Sequence, residues 1–216
     1  MINCFLGIDG LIARIMNPPV RKRLKPHERR TTLLNAAADV LLEDGIGALT
    51  LRHLAKRLGV AAGLVNHYFP EIEALAAEAF AMIAQGEVAV LFAAACAETA
   101  PAAQISRLIA ELLEPHRRGV SLLWLDAWQA SRSRTLLRAA VIDAMDLWQQ
   151  RLSTLIAQGG FATSDPAASA TRILALIDGL SIQAVIDQPG APEHAILRGM
   201  VIAGVERELG IVLGLV

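Results

Sequence analysis

Residues 50–69, TLRHLAKRLGVAAGLVNHYF, leave the chain little choice of local structure. Gly59-Val60 divides two short runs of helical periodicity. Thr50 supplies a side-chain oxygen as N-cap just before the first run. Leu51, Leu54, Ala55 and Leu58 then fall on one face of that helix. Gly59 stops it, because glycine enters the left-handed conformation at no steric cost. Val60 is expected to plug the corner. A second helix over 61–68 turns Leu64, Val65 and Tyr68 back onto the first, with Ala55 small at the crossing. The spacing predicts helix, tight turn, helix. Such a pair sets its second helix in a DNA major groove while the first crosses the phosphate backbone. The same geometry also serves an ordinary helical hairpin.

The rest of the chain reads as all-α. Of its 216 residues 54% are hydrophobic, and the excess is mostly Ala and Leu, which favour helices. No long alternation of β-branched residues occurs. A first helix is predicted over 26–44, with Leu33, Leu34, Ala37, Val40 and Leu41 on its core face. A long helix follows over 71–97, then others over 102–114, 117–132, 135–158, 166–187 and 192–212. Pro101, Gly119, Gly159-Gly160, Pro166 and Pro189-Gly190 punctuate them. No apolar run is expected to reach the roughly 18–20 residues needed to span a bilayer, so no membrane is implied. Cys4 and Cys96 form no disulfide framework or metal-ligand spacing and suit a reducing, cytoplasmic setting.

Net charge is −1, but it is unevenly spread. Residues 1–70 hold ten Lys/Arg against five Asp/Glu, a surplus of +5; residues 71–216 hold ten against sixteen, a deficit of −6. The positive charge lies with the two-helix unit, where phosphate neutralisation needs it. Residues 1–20 read as an N-terminal extension, and Met16 is an alternative start. Arg21, Lys22, Arg23 and Lys25 form a basic arm, either a solubilising tail or a reach toward phosphate or the minor groove. Arg29 or Arg30 is a further phosphate candidate.

Residues 29–75 resemble the N-terminal domain of the tetracycline-repressor (TetR) family. The resemblance rests on Ala36-Ala37, Gly45, Leu54-Ala55, Gly59-Val60, Gly63, the triplet His67-Tyr68-Phe69, and Leu75. GLVNHYF is most similar to the BetI-like branch of that family. The chain departs from the pattern where the usual Ser after Gly-Val is Ala61, where Ala62 is also apolar, and where a phosphate-facing lysine is replaced by Ile72. The resemblance implies three parts: the extension 1–20, a helix-turn-helix domain 21–70, and a helical ligand-binding and dimerisation domain 71–216. It implies a cytoplasmic, homodimeric transcriptional repressor, released from a palindromic double-stranded DNA operator by a small molecule.

On this reading Arg52, and Thr50 through its hydroxyl, contact phosphates from the first helix of the pair. Ala61 and Ala62 open the reading helix, and Gly63 allows the backbone close to DNA. Asn66 offers the donor and acceptor pair that suits adenine. His67 and Tyr68 bond phosphate oxygens and so position the head. Lys56 is exposed, for contact or for solubility.

In the second domain, Ile173, Leu176, Ile177, Leu180 and Ala184 line one late helix. Ile196, Met200, Ala203 and Val205 line the next, with Gly204 permitting close approach. The resemblance makes 166–187 and 192–212 the dimer interface, through a four-helix arrangement. Trp124 and Trp128 share a helical face, and Trp148 follows on the next helix. Aromatic faces attract quaternary ammonium groups, and large aromatics equally fill helical cores. Asp126 points off the Trp124/Trp128 face. Asp178 sits in an apolar helix as a pocket acid or a hydrogen-bonded interface residue. Nucleophile-elbow, phosphate-loop, zinc-helix and dinucleotide motifs are lacking, so no enzyme, cofactor or metal is expected. A small-molecule sensor without DNA binding and a helical docking protein remain alternative classes.

Overall fold

A computed structural model describes residues 25–185 and 194–214. The extension 1–20, Arg21 to Arg23, Cys4 and Pro189-Gly190 lie outside the described residues. Among the described residues the chain is all-α: α1 (Pro26–Asp44), α2 (Leu51–Leu58), α3 (Ala62–Tyr68), α4 (Ile72–Cys96), α5 (Pro101–Leu112), α6 (Arg118–Ser131), α7 (Thr135–Gly159), α8 (Pro166–Val185) and α9 (His194–Leu209). Short 3-10 turns at Ile46–Ala48 and Pro115–Arg117 precede α2 and α6.

Most bounds agree with the sequence reading because their signals are local. The last helix is an exception, ending at Leu209 rather than at 212. Gly210 adopts φ 66°, and the Glu206 carboxylate accepts the Leu213 N–H at 2.8 Å, so the chain leaves the helix there.

The helices α4 and α7 run side by side in the same direction. Near their starts Glu73 accepts the Leu136 N–H at 2.6 Å; further along, the Phe92 and Trp148 rings lie 5.6 Å apart. Two hydrophobic clusters are strung along this pair. The first joins α1, α2 and α3 to the early parts of α4 and α7 and to Leu123 and Ala127 of α6. The second joins the later parts of α4 and α7 to α5, α8 and α9. Packing therefore runs continuously from the head into the body.

The expectation about apolar runs needs correction. Helix α4 is 25 residues long with a window of mean hydropathy 1.8, long and apolar enough to cross a membrane by length and composition. Part of that apolar content is explained by packing, since 39% of the window is buried. Leu75, Ala79, Phe80, Ala84, Leu91 and Ala95 are all at most 2% exposed beneath their neighbours.

The apolar faces read from the late helices divide. Ile173, Ile177, Leu180 and Val205 are buried within the chain, and a Cβ at Gly204 would collide with Leu176. Ile196 and Met200 stay 55% and 51% exposed, and Ala203 continues their strip. Val205 and Gly204 thus serve the intrachain core rather than an outer face.

Two polar ties hold the head to the body. Arg30 donates to both oxygens of Glu78, at 2.7 and 2.6 Å, and lies over the Phe69 ring at 4.7 Å. Asp126 Oδ2 on α6 accepts the Ile46 N–H at 3.3 Å. Gly45, at φ 82° and ψ 167°, makes room for that carboxylate: a Cβ there would lie 2.5 Å from Oδ2. Gly45→Ala combines a glycine-only conformation with this collision and should cost about 2–3 kcal/mol. Urea unfolding of the single variant and of Gly45→Ala/Asp126→Ala checks it. The double variant keeps the strain but loses the collision, so the cost of the glycine change should shrink without vanishing.

Candidate nucleic-acid interface

The two-helix unit is built as its sequence requires. Thr50 has extended backbone, and its hydroxyl oxygen accepts the His53 N–H at 3.1 Å. The hydroxyl hydrogen stays available to donate outward. Gly59 takes φ 63° and ψ 35°, and its N–H reaches the Lys56 carbonyl at 3.2 Å. The Val60 N–H reaches the Ala55 carbonyl at 3.0 Å, closing the turn. Leu54 and Val65 are fully buried and Ala55 nearly so at the crossing. Ala61 is the N-cap of α3 and offers no side-chain acceptor.

Other charged groups of the head are committed inward. His53 Nδ1 stands 3.1 Å from the Ala48 carbonyl; a carbonyl only accepts, so that nitrogen carries the hydrogen. Its Nε2 faces Asp44 at 3.5 Å. Arg57 pairs with Glu43 at 2.8 Å, which holds the Glu43 carboxyl below its ordinary range and raises the guanidinium. Arg30 is tied to Glu78, so this phosphate candidate instead joins α1 to α4. Periodicity does not reveal these assignments, because the partners lie on other helices.

What remains outward is the set read from the sequence. Thr50, Arg52, Lys56, Ala61, Ala62, Gly63, Asn66 and His67 are exposed, and Tyr68 is half-buried with its ring edge-on to His67 at 5.2 Å. Among the described residues the side chains of Arg52, Lys56 and Asn66 have no ion-pair or hydrogen-bond partner. A Cβ at Gly63 would meet no atom within 4 Å, so internal packing does not require glycine there. Two donors one helical turn apart on α2 and an amide on α3 can engage phosphate oxygens and a base edge.

Behind the head, the tryptophans separate. Trp124 and Trp128 lie 5.8 Å apart, and Trp124 is edge-on to Phe80 at 5.1 Å. Trp148 is 7% exposed and packs on Phe92 instead. The carboxylate facing Trp124 is Glu87 of α4, which accepts the indole N–H at 3.2 Å. Its other oxygen is bound by Arg117. Both side chains of this ion pair are less than a tenth exposed. Burial pulls the Arg117 guanidinium down to about 10, still charged at neutral pH. Asp178 is half-buried on α8, and burial pushes its carboxyl up to about 6. A groove of about 350 Å3 lies between α4 and α7, and a hollow of about 210 Å3 lies where α5 and α6 meet α8 and α9. No tryptophan lines either, nor does Asp178.

A helix-turn-helix head on a helical body is the architecture of a DNA-binding regulator, and comparison with known proteins agrees. Residues 33–79 match the family described as bacterial regulatory proteins, tetR family. Residues 101–210 match the C-terminal domain described as BetI-type transcriptional repressor. The chain belongs to the TetR family of transcriptional regulators, in its BetI-like branch. It is 28% identical over 170 residues to the HTH-type transcriptional regulator BetI of Burkholderia thailandensis, covering 73% of this chain and 82% of that one. It is 22% identical over 170 residues to the regulator PksA of Bacillus subtilis, covering 77% and 83%. A transcriptional regulator from Saccharomonospora viridis, whose crystal structure is in complex with choline, superposes with TM-score 0.73 at 25% identity, covering 83% and 96%.

Arg117→Met should destabilise the chain by about 3–5 kcal/mol, because it strands a buried carboxylate. Arg117→Met/Glu87→Leu should recover most of that loss, since an apolar pair fills the same space. Urea unfolding followed by tryptophan emission reads both. Equal losses in the two variants would contradict the ion pair as the source.

Proposed function

We propose that the chain acts as a homodimeric repressor whose two heads occupy a palindromic operator and let go when a small cation separates α6 from α4. The observation that carries the DNA contacts is the free outward set on α2 and α3, beside neighbours already committed: Arg30 to Glu78, Arg57 to Glu43, His53 to Ala48. Arg52 and the Thr50 hydroxyl bind phosphates from α2. His67 and Tyr68 bind them from α3, Asn66 reads a base edge, and the bare Ala61-Ala62-Gly63 start lets the backbone approach. With Ala61 in place of a hydroxyl side chain, reading rests on fewer groups.

Dimerisation uses the outer faces of α8 and α9. Ala175, Gly179 and Gln183 on α8 and Ile196, Gly199, Met200 and Ala203 on α9 are exposed. Small residues let helices approach closely, and Ile196 and Met200 supply apolar area for a self-complementary patch. Half-sites about 34–36 Å apart then count together.

The effector class this reading favours is a quaternary ammonium. The Trp124/Trp128 faces attract such a cation, and the Saccharomonospora viridis relative was crystallised with choline. Trp148 of α7 packs on Phe92, apart from this pair, and Asp178 of α8 is the remaining candidate. Neither described cavity opens onto the tryptophans, so a ligand reaches them by parting α6 from α4. That movement draws Asp126 away from Ile46 and so loosens one of the two polar ties that set the head on the body. Release requires the ligand to prefer the parted state; tight binding alone shifts nothing.

Binding to the duplex upstream of the chain's own coding sequence, by fluorescence anisotropy at two salt concentrations against a scrambled duplex, tests the reading. Two protomers per site with salt-dependent preference are expected, and choline should lower the affinity. Arg52→Ala should weaken operator and scrambled DNA alike, with a salt slope shallower by about one per head. Asn66→Ala should instead relax preference at one base pair per half-site, seen in selection from randomised sites. For the interface, Ile196→Glu/Met200→Glu should sediment as a monomer and lose operator affinity at least a hundredfold, because each head then binds alone. A dimer retained in that variant would place the interface elsewhere.

A further inference from the structure

The hollow where α5 and α6 meet α8 and α9 differs in wall chemistry from the acidic domain around it. Residues 71–216 carry sixteen acids and ten arginines, yet three of those arginines, Arg117, Arg118 and Arg198, line this one space. Glu114 is the one carboxylate in its wall among the described residues. The opposite side is aliphatic, from Leu112, Leu180, Leu197 and Val201.

Among the described residues the charges in this wall are not balanced. Arg117 is committed to buried Glu87. Arg118 is exposed and has no ion pair among the described residues. Arg198, partly buried, reaches Glu114 only at 3.8 Å. Among the described residues one carboxylate thus faces two guanidinium groups at the edge of an apolar wall. A guanidinium is a planar fork of donors that matches a carboxylate. An anion between Arg118 and Arg198 relieves the repulsion, and an apolar tail on it covers the leucines.

We propose that this hollow binds a small monocarboxylate with an aliphatic or aromatic tail, its oxygens held by Arg118 of α6 and Arg198 of α9. A volume of about 210 Å3 sets the size at roughly seven to ten non-hydrogen atoms, at the ~20–30 Å3 that each takes in a condensed phase. Arg117 stays with Glu87, because a ligand that drew it away would leave that carboxylate buried and alone. The site is separate from the tryptophans proposed for a cationic effector, and its occupancy does not depend on DNA binding by the heads.

Titration calorimetry on the full chain without DNA tests this, with hexanoate and benzoate as probes and hexan-1-ol, hexylamine and inorganic phosphate as comparisons. Both carboxylates should bind at least tenfold more tightly than the alcohol, the amine or phosphate. Arg118→Ala/Arg198→Ala should weaken the carboxylates at least tenfold, and Arg198→Lys should weaken them less, since it keeps the charge without the fork. Ser181→Phe, which fills the hollow and leaves both arginines in place, should abolish binding; circular dichroism establishes that the variants fold. Equal binding of hexan-1-ol would make the hollow merely apolar and overturn the proposal. So would phosphate binding as well as benzoate, or carboxylate binding unchanged in the double alanine variant. Loss of operator binding with intact carboxylate binding would count against the repressor reading alone.

Discussion

Glu87 is a carboxylate with almost no access to water, and the position of α6 depends on it. One of its oxygens is held by Arg117 and the other by the Trp124 indole, both contributed by α6 or the turn leading into it. A buried charge is tolerable only when its lone pairs are satisfied, so α6 has one favourable seat on α4. From that seat Asp126 reaches the Ile46 amide, and the head is held to the body. The arrangement places the Trp124/Trp128 pair and the grip on the head on one helix, Arg118–Ser131. Helix α6 therefore touches both α4, through Glu87, and the turn that leads into α2, through Ile46.

The head shows a complementary economy of charge. Two of its cations are already paired with carboxylates. Arg30 binds Glu78 and covers Phe69, and Arg57 binds Glu43. Such exposed pairs add little stability singly. Their effect is on orientation: they set α1 against α4 and α2 against α1, leaving Arg52 and Lys56 directed to solvent. The outward basic face of α2 is thereby defined as much by which charges are occupied as by which are basic.

Membership of the TetR family fits the departures from its usual motif. Ala61 leaves α3 without a side-chain cap, yet the helix forms because Val65 and Phe69 anchor it in the core. Packing therefore maintains the fold where a local cap is missing. The departures do not alter the head's architecture.

Helix positions were legible because their causes are local. Thr50 caps α2, Gly59 turns it, and Pro26, Pro101 and Pro166 open helices at positions where no N–H is needed. The exposed residues on α2 and α3 were legible for the same reason, as helical periodicity separates faces. The commitments of charged groups were not. Arg30 and Glu78 are 48 residues apart, Arg117 and Glu87 are 30 apart, and Asp126 and Ile46 are 80 apart. The tryptophans, close in sequence, divided between Phe80 and Phe92 on successive stretches of α4. Sequence alone determined the helices and their outward faces, since caps, glycines and apolar spacing act within a few residues. Tertiary structure decided which charges are paired and which rings meet, because those partners come together only when separate helices pack.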